Sequence, residues 1–319
     1  MPLTAPELDP AAVRPDLSCK AEEPGDQGLM DQLIRRAPEM AFLRRLGAGL
    51  LRVGGNMAGE AAHLAAVLAA DGDLKDRTLL LLNNVPPNEQ DAFRTAEEAI
   101  ARCGAAHVRA VAAAAAVSEV ICGTQDLSRC AYQIGRHSIR VALGSKLIAE
   151  RCGLPHAHLA FLAGLLHDIG LLIEARHASA DFTEIIGIKC TDRAMPAVER
   201  AQLGFDHCEL GARICQQCGF PGPVQSAAAF HHRASDSLAE DRRIVECVEV
   251  ANVVCSLTGA ASVPGLALKP PIGAMGNLGL GKTDLRSLSG ELERQVTVFE
   301  TILIRHQSRH DPRWTRSDE

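Results

Sequence analysis

Apolar residues recur at helical spacing along most of this 319-residue chain, while strand-like alternation is almost absent. In the first half, one such series consists of Leu29, Leu33, Leu43, Leu46 and Leu50. The run VAAAAAV (111–117) adds a strong helix former, and short Gly and Pro breaks separate the helical segments. The pattern predicts an all-α fold made of two helical lobes, with about five helices in the first lobe.

Shifts in composition divide the chain into four segments. Residues 1–28 are rich in Pro, Asp, Glu and Gly and show no apolar period, which predicts a disordered tail. An N-terminal helical lobe is predicted over 29–122 and a second helical lobe over 123–260. We expect a loop, a helix and a basic tail over 261–319.

Composition and charge exclude several classes of function. The net charge of −6 (33 Lys+Arg against 39 Asp+Glu) gives no long-range attraction to nucleic acid, and 3% aromatic residues cannot form a base-stacking platform. The N-terminus lacks the basic and apolar regions of a signal peptide, and no stretch approaches 18 uninterrupted apolar residues. We therefore expect a cytoplasmic protein with no membrane span and no nucleic-acid partner.

Eleven cysteines without a signal peptide indicate reduced thiols rather than a disulfide framework. The pair Cys215 and Cys218 forms a CxxC motif, and Cys208 lies nearby in the sequence. These three residues fit either a zinc or redox site or a set of buried small thiols.

Histidine and aspartate occur where a helical lobe should be apolar. Helices predicted at 131–152 and 158–174 carry His137 and Asp168 within their apolar stripes, and Asn252 occupies such a stripe on a later helix. The full set of candidate ligands for a divalent metal is His137, His167, Asp168, His207, His231 and His232, with Asn252 beside them. Metal sites of this kind hydrolyse phosphoesters by polarising a phosphoryl oxygen and activating water. The alternative for each histidine is an ordinary hydrogen-bonded core or surface residue.

Four short motifs resemble the HDOD domain, the HD-related output domain of bacterial signalling proteins. They are RHS (136–138), GLLHDIG (164–170), GFDHCELGA (204–212) and AAAFHH (227–232). The resemblance implies an all-α regulatory module without established catalysis, related to the HD and HD-GYP metal phosphohydrolases. It further implies a signalling protein as partner, a divalent metal (Fe, Mn or Zn) as the cofactor to consider, and a nucleotide or cyclic dinucleotide as the ligand to consider.

Two positions depart from the pattern of an active HD phosphohydrolase. Asn252 stands where such enzymes have a late Asp ligand, and Leu171 follows the HDIG motif where the phosphodiesterases typically have Lys. A neutral amide binds a divalent cation more weakly than a carboxylate. We therefore interpret the chain as a non-catalytic signalling module. The alternatives are a metal-dependent phosphohydrolase using His167 and Asp168, and a buried polar network that holds no metal.

Overall fold

A computed structural model describes residues 26–50, 57–84, 92–122, 129–188 and 194–310. The predicted disordered tail lies outside the described residues up to position 25. Its last three positions already belong to the first helix, which begins at Asp26.

The fold class predicted from the sequence is confirmed, because every regular element in the described residues is a helix. The first six helices are α1 (Asp26–Arg36), α2 (Glu39–Leu50), α3 (Met57–Ala70), α4 (Gly72–Asn84), α5 (Ala96–Cys103) and α6 (Ala105–Cys122). Five more are α7 (Arg129–Arg151), α8 (Ala157–Leu166), α9 (Ile169–His177), α10 (Ser179–Gly187) and α11 (Met195–Leu203). The last five are α12 (His207–Gln217), α13 (Gly222–Phe230), α14 (Arg242–Leu257), α15 (Ile272–Leu278) and α16 (Lys282–His310).

The first part of the chain is built around the alanine-rich helix α6. Ala112 to Ala116 are all buried, and α6 packs against α2, α4, α7 and α8. Small side chains allow several helices to approach one axis closely. Among the described residues six helices form here rather than the five expected, because the eight-residue α5 is a separate helix between α4 and α6.

Helix α7 is the centre of the second part of the chain. It packs against α8, α14 and α16, while α12 packs against α9 and α13 packs against α8. The predicted helix at 131–152 matches α7 closely. Because residues on α7, α9, α12 and α14 face one core, polar residues in their apolar stripes are brought together.

The predicted single helix at 158–174 is instead two helices, with a break at His167 and Asp168. The His167 ring Nδ1 lies 2.7 Å from the Gly164 carbonyl oxygen. In a continuous helix that carbonyl would accept the Asp168 amide, so the imidazole replaces a backbone donor where the helix breaks. The break occurs at the adjacent His-Asp pair.

Two glycines allow helix α9 to touch helix α12. A Cβ added at Gly170 would lie 2.0 Å from the His207 carbonyl oxygen, and one at Gly211 would lie 3.3 Å from the Gly170 amide nitrogen. Neither glycine is needed for a positive φ angle. Their role is to bring the His-Asp break close to the start of α12.

The stretch Ala157–His177 is long and apolar enough to cross a membrane by length and composition. In the fold, 83% of its apolar window is buried against other helices. This burial is typical of the core helix of a globular domain.

Candidate metal centre

Four of the five predicted histidine ligands lie around the carboxylate of the sixth predicted ligand, Asp168. Its Oδ2 lies 3.3 Å from Nε2 of His167 and 3.9 Å from Nε2 of His137. Its Oδ1 lies 3.4 Å from Nε2 of His231 and 4.0 Å from Nε2 of His207. The two carboxylate oxygens thus face two different pairs of imidazoles.

Three of these imidazoles are oriented by backbone carbonyls. Nδ1 of His137 lies 2.5 Å from the Ala260 oxygen, and Nδ1 of His231 lies 3.1 Å from the Ala227 oxygen. The His167 ring uses the Gly164 carbonyl in the same way. A carbonyl only accepts, so each Nδ1 donates a proton and each Nε2 has a lone pair for another partner.

Those Nε2 atoms are buried and make no hydrogen bond of good geometry. This holds for His137, His167 and His231, whose side chains have no solvent exposure. Buried polar atoms in folded proteins are normally paired. Three lone pairs facing a carboxylate therefore require a cation or protons between them.

His207 is held by a carboxylate instead of a carbonyl. Oε2 of Glu199, on α11, accepts hydrogen bonds from His207 Nδ1 at 2.6 Å and from the His207 backbone amide at 2.9 Å. A histidine whose second ring nitrogen donates to a carboxylate is a frequent arrangement behind metal ligands. Burial opposes a charge on this ring, but Cys208 and Glu199 outweigh it and raise the pKa of His207 well above its usual value.

Glu199 is a residue of the candidate site that the sequence interpretation missed. It occupies the buried stripe Met195, Glu199, Leu203 of α11 and is fully buried. The available signal in the sequence was a glutamate spaced four residues from an apolar residue on either side, as on one face of a helix. Glu174 on α9 was missed in the same way, and burial followed by the proximity of Glu199 raises its pKa well above the usual range.

His232 and Cys208 complete the cluster next to His207. Nε2 of His207 lies 3.1 Å from Nε2 of His232 and 3.4 Å from Sγ of Cys208. The His231 and His232 rings lie 4.1 Å apart between centroids. Burial, together with the two neighbouring imidazoles, lowers the pKa of His232 well below its usual value.

The CxxC pair does not take part in this cluster. Cys215 and Cys218 are buried in the hydrophobic core, whereas Cys208 lies among the histidines. The structure therefore agrees with the interpretation of Cys215 and Cys218 as buried small thiols.

Asp168 is held as an anion in the middle of the cluster. Burial alone would raise the pKa of this carboxyl, but His167 and then His231 outweigh it and lower the pKa well below its usual value. Burial and His167 lower the pKa of His137 to about 4. One anionic carboxylate among imidazoles suits a divalent cation.

Two groups of side chains in the described residues have the proximity needed to hold an ion. The first is His137, His167 and Asp168, and the second is His207, Cys208, His231 and His232. The ligand atoms within each group all lie within 4.8 Å of one another. The donor set and the unpartnered Nε2 atoms therefore fit a bound metal.

Asn252 lies at the edge of this cluster and is almost fully buried. Together with Asp168, His207 and His232 it lines a small cavity of about 20 Å³. Residues 261–263 and Leu171 form part of the same wall. The cavity holds about one water molecule, so this side of the cluster has room for an ion or a water but not for an organic substrate.

A much larger cavity lies on the other side of His232. Its volume is about 590 Å³, within the range of ligand pockets, and it is walled by α11, α12 and α13. Arg200, Arg213 and Arg233 line it, together with Cys208. Arg200 is paired with Asp206 at 2.8 Å and Arg213 with Asp31 at 3.1 Å.

The HDOD domain family matches residues 49–234, and the chain belongs to this family. The match covers the motifs around His137, His167, His207 and His231, while Asn252 follows it in the sequence. The resemblance stated from the four motifs is therefore confirmed.

Solved structures share the helical fold. A candidate phosphohydrolase from Shewanella amazonensis SB2B matches with a TM-score of 0.63 and 19% identity, over 87% of this chain and 98% of its own. A candidate signal transduction protein from Marinobacter aquaeolei VT8 matches with a TM-score of 0.62 and 17% identity, over 88% of this chain and 65% of its own. At these identities the likeness establishes the fold alone.

One curated relative is an uncharacterised protein of Treponema pallidum (strain Nichols). It is 22% identical over 200 residues, which is 60% of this chain and 37% of the relative. The chain therefore spans little more than a third of the length of that relative.

Proposed function

We propose that this chain is a cytoplasmic, non-catalytic regulatory module of signal transduction that acts through contacts with a signalling protein. A divalent metal held by the histidine cluster would modulate those contacts. The residues that would hold it are His137, His167 and Asp168, with His207, His231 and His232 beside them and Asn252 at the edge.

The observation that carries the proposal is the enclosure of the cluster on its Asp168 side, where its groups are arranged for a cation. Three unpartnered Nε2 atoms face Asp168, yet the adjoining cavity has a volume of only about 20 Å³. A bound metal would supply charge neutralisation and would fix the positions of α7, α9 and α12. Such an ion stabilises one arrangement of helices and would thereby couple metal occupancy to the surface that a partner contacts.

Two residues weaken a catalytic interpretation. Asn252 offers one neutral oxygen where a carboxylate would supply charge. Leu171 is buried against the small cavity, so no cation from that position reaches a substrate phosphate. Arg233, a cation that borders the large cavity, is paired with Asp236 at 3.6 Å.

The second candidate function is a metal-dependent phosphohydrolase acting on a nucleotide or cyclic dinucleotide. The observation that favours it is the 590 Å³ cavity, which is bordered by His232 and by three arginines. A substrate phosphate in that cavity would approach the cluster from the side of His232, after displacing the carboxylates now paired with Arg200 and Arg213.

Metal analysis combined with a turnover assay tests the two candidates. The wild-type protein, purified without chelator, should contain near-stoichiometric Fe, Mn or Zn, and the metal should be lost in His167→Ala. No hydrolysis of nucleotide or cyclic dinucleotide phosphodiesters should be detected with either protein. Turnover by the wild type that disappears in His167→Ala would replace the regulatory proposal with the phosphohydrolase.

A further inference from the structure

Cys208 belongs to a group of potential ligands that is separate from His137, His167 and Asp168. Its group contains His207, His231 and His232, whose ligand atoms lie within 4.8 Å of one another and of the Cys208 sulfur. The thiol is buried at the start of α12 and also borders the large cavity. A sulfur ligand at this position would change which metal the cluster selects.

We propose that Cys208 is a thiolate ligand of a second cation position, formed with His207, His231 and His232. The inference rests on the proposed metal-binding function and extends it to a further site and a further class of metal. The cation would be a borderline-soft ion of the Zn²⁺ type.

The distances suit tetrahedral coordination. With Zn–N of about 2.05 Å and Zn–S of about 2.3 Å, tetrahedral angles separate two nitrogens by roughly 3.4 Å and a nitrogen from a sulfur by roughly 3.6 Å. Nε2 of His207 lies 3.1 Å from Nε2 of His232 and 3.4 Å from the Cys208 sulfur. Both separations are within about 0.3 Å of the tetrahedral values.

Two independent features point to a ligand at this position. Nε2 of His231 is fully buried and has no hydrogen-bond partner. Nδ1 of His207 donates to Glu199, so Nε2 of His207 faces His232 and Cys208, and a bound cation would take the place of any proton on that nitrogen. A cation placed there would use all of these lone pairs at once.

The two cation positions differ in their ligand types, since one includes the Cys208 sulfur and the other the Asp168 carboxylate. A thiolate is a soft ligand that favours Zn²⁺ over Mn²⁺ or Mg²⁺, whereas a carboxylate accepts the harder ions. Binding replaces the thiol proton with the metal and releases that proton to solvent. One chain would therefore hold two cations of different preference, with the single Nε2 lone pair of His231 used at the second position.

Cobalt titration of the full chain, after chelator treatment, tests this assignment. Co²⁺ should produce a near-ultraviolet thiolate-to-cobalt charge-transfer band in the wild type. The band should be absent in Cys208→Ala, which should also bind one equivalent fewer of Co²⁺. Cys218→Ala, a matched loss of a buried thiol at the end of the same helix, should keep the band. A wild type that binds Co²⁺ without the band would overturn the proposal, as would a band that persists in Cys208→Ala.

His167→Ala separates this proposal from the proposed function. The variant lacks a ligand of the Asp168 group only, so the thiolate band should persist while Co²⁺ at the other position is lost. If His167→Ala removes all Co²⁺ binding and the wild type shows no band, the Asp168 site stands and the Cys208 site falls. If all bound Co²⁺ gives the band and His167→Ala binds as much as the wild type, the Cys208 site stands alone.

A measurement on the wild type avoids dependence on a variant that fails to fold. Zn²⁺ should protect Cys208 from alkylation by iodoacetamide, as mapped by peptide mass spectrometry, while half-buried Cys103 and Cys130 react at unchanged rates. Equal alkylation of Cys208 with and without Zn²⁺ would overturn the proposal.

Discussion

Replacing Gly170 by alanine tests how the helix crossing positions the metal centre. The added Cβ would lie 2.0 Å from the His207 carbonyl oxygen and 2.8 Å from the Gly211 amide nitrogen. Real Cβ atoms essentially never approach closer than 3.0 Å. Both obstructing atoms belong to the backbone, so α9 and α12 must separate by about 1 Å to accommodate the methyl group.

The separation should affect both stability and metal binding. Overpacking of a well-packed core lowers the free energy of unfolding by about 1–3 kcal/mol. Because the obstructing atoms here belong to the backbone, we expect a loss of about 3 kcal/mol. A loss of that size lowers the Tm of a domain this large by roughly 5–10 °C. Metal sites tolerate ligand shifts of only about 0.2 Å, so the displacement of His207 relative to Asp168 should also weaken metal binding.

Thermal melting and metal content of Gly170→Ala measure these two effects. Gly290→Ala is the matched control, because Gly290 lies inside helix α16 and a Cβ there meets nothing within 4 Å. The control should be more stable than the wild type by about 0.5–1 kcal/mol, owing to the better helix propensity of alanine. A Gly170→Ala protein with the Tm and metal content of the wild type would refute this account of the crossing.

Three further changes probe the site and its surroundings. Glu199→Gln should weaken metal binding about 10–100-fold, because the carboxylate behind His207 is lost, and the exposed change Glu184→Gln should leave titrated affinity unchanged. Asn252→Asp should strengthen divalent binding by adding a charged ligand, so an unchanged affinity would remove Asn252 from the site. Burial, and then His156, lowers the pKa of His158 to about 4. Because the unfolded chain takes up this proton first, metal-free protein should lose stability as pH falls from about 6.5 towards 4. The melting temperature of His158→Phe should fall less over this range, and an identical pH dependence would contradict the assignment.

The sequence was sufficient to predict the helical fold and the convergence of its ligands. His137 and Asp168 stand out because a polar residue in an apolar stripe needs a partner inside the core. Convergence of the histidines followed from their positions in four motifs, and the structure brings four of them to one carboxylate and places His232 beside His207.

The groups behind the ligands could not be predicted in the same way. Glu199 occurs in a helix with two other charged or polar residues, so its burial depends on which helix face packs inward. Glu174 lies in a helix whose residues 169–175 are all buried, which depends on how the neighbouring helices pack around it. The break at His167 depends on a hydrogen bond from its ring to Gly164, which no apolar period reveals. Grouping Cys208 with Cys215 followed sequence proximity, whereas the helix places their side chains in different surroundings.

The central claim is that the histidine cluster around Asp168 holds a metal. Anomalous diffraction from crystals of the wild-type protein, collected on both sides of the Fe, Mn and Zn absorption edges, tests it most directly. We predict an anomalous peak about 2.0–2.3 Å from Nε2 of His167 and from a carboxylate oxygen of Asp168. A cluster without a peak at any of these edges, in protein never exposed to chelator, would contradict it.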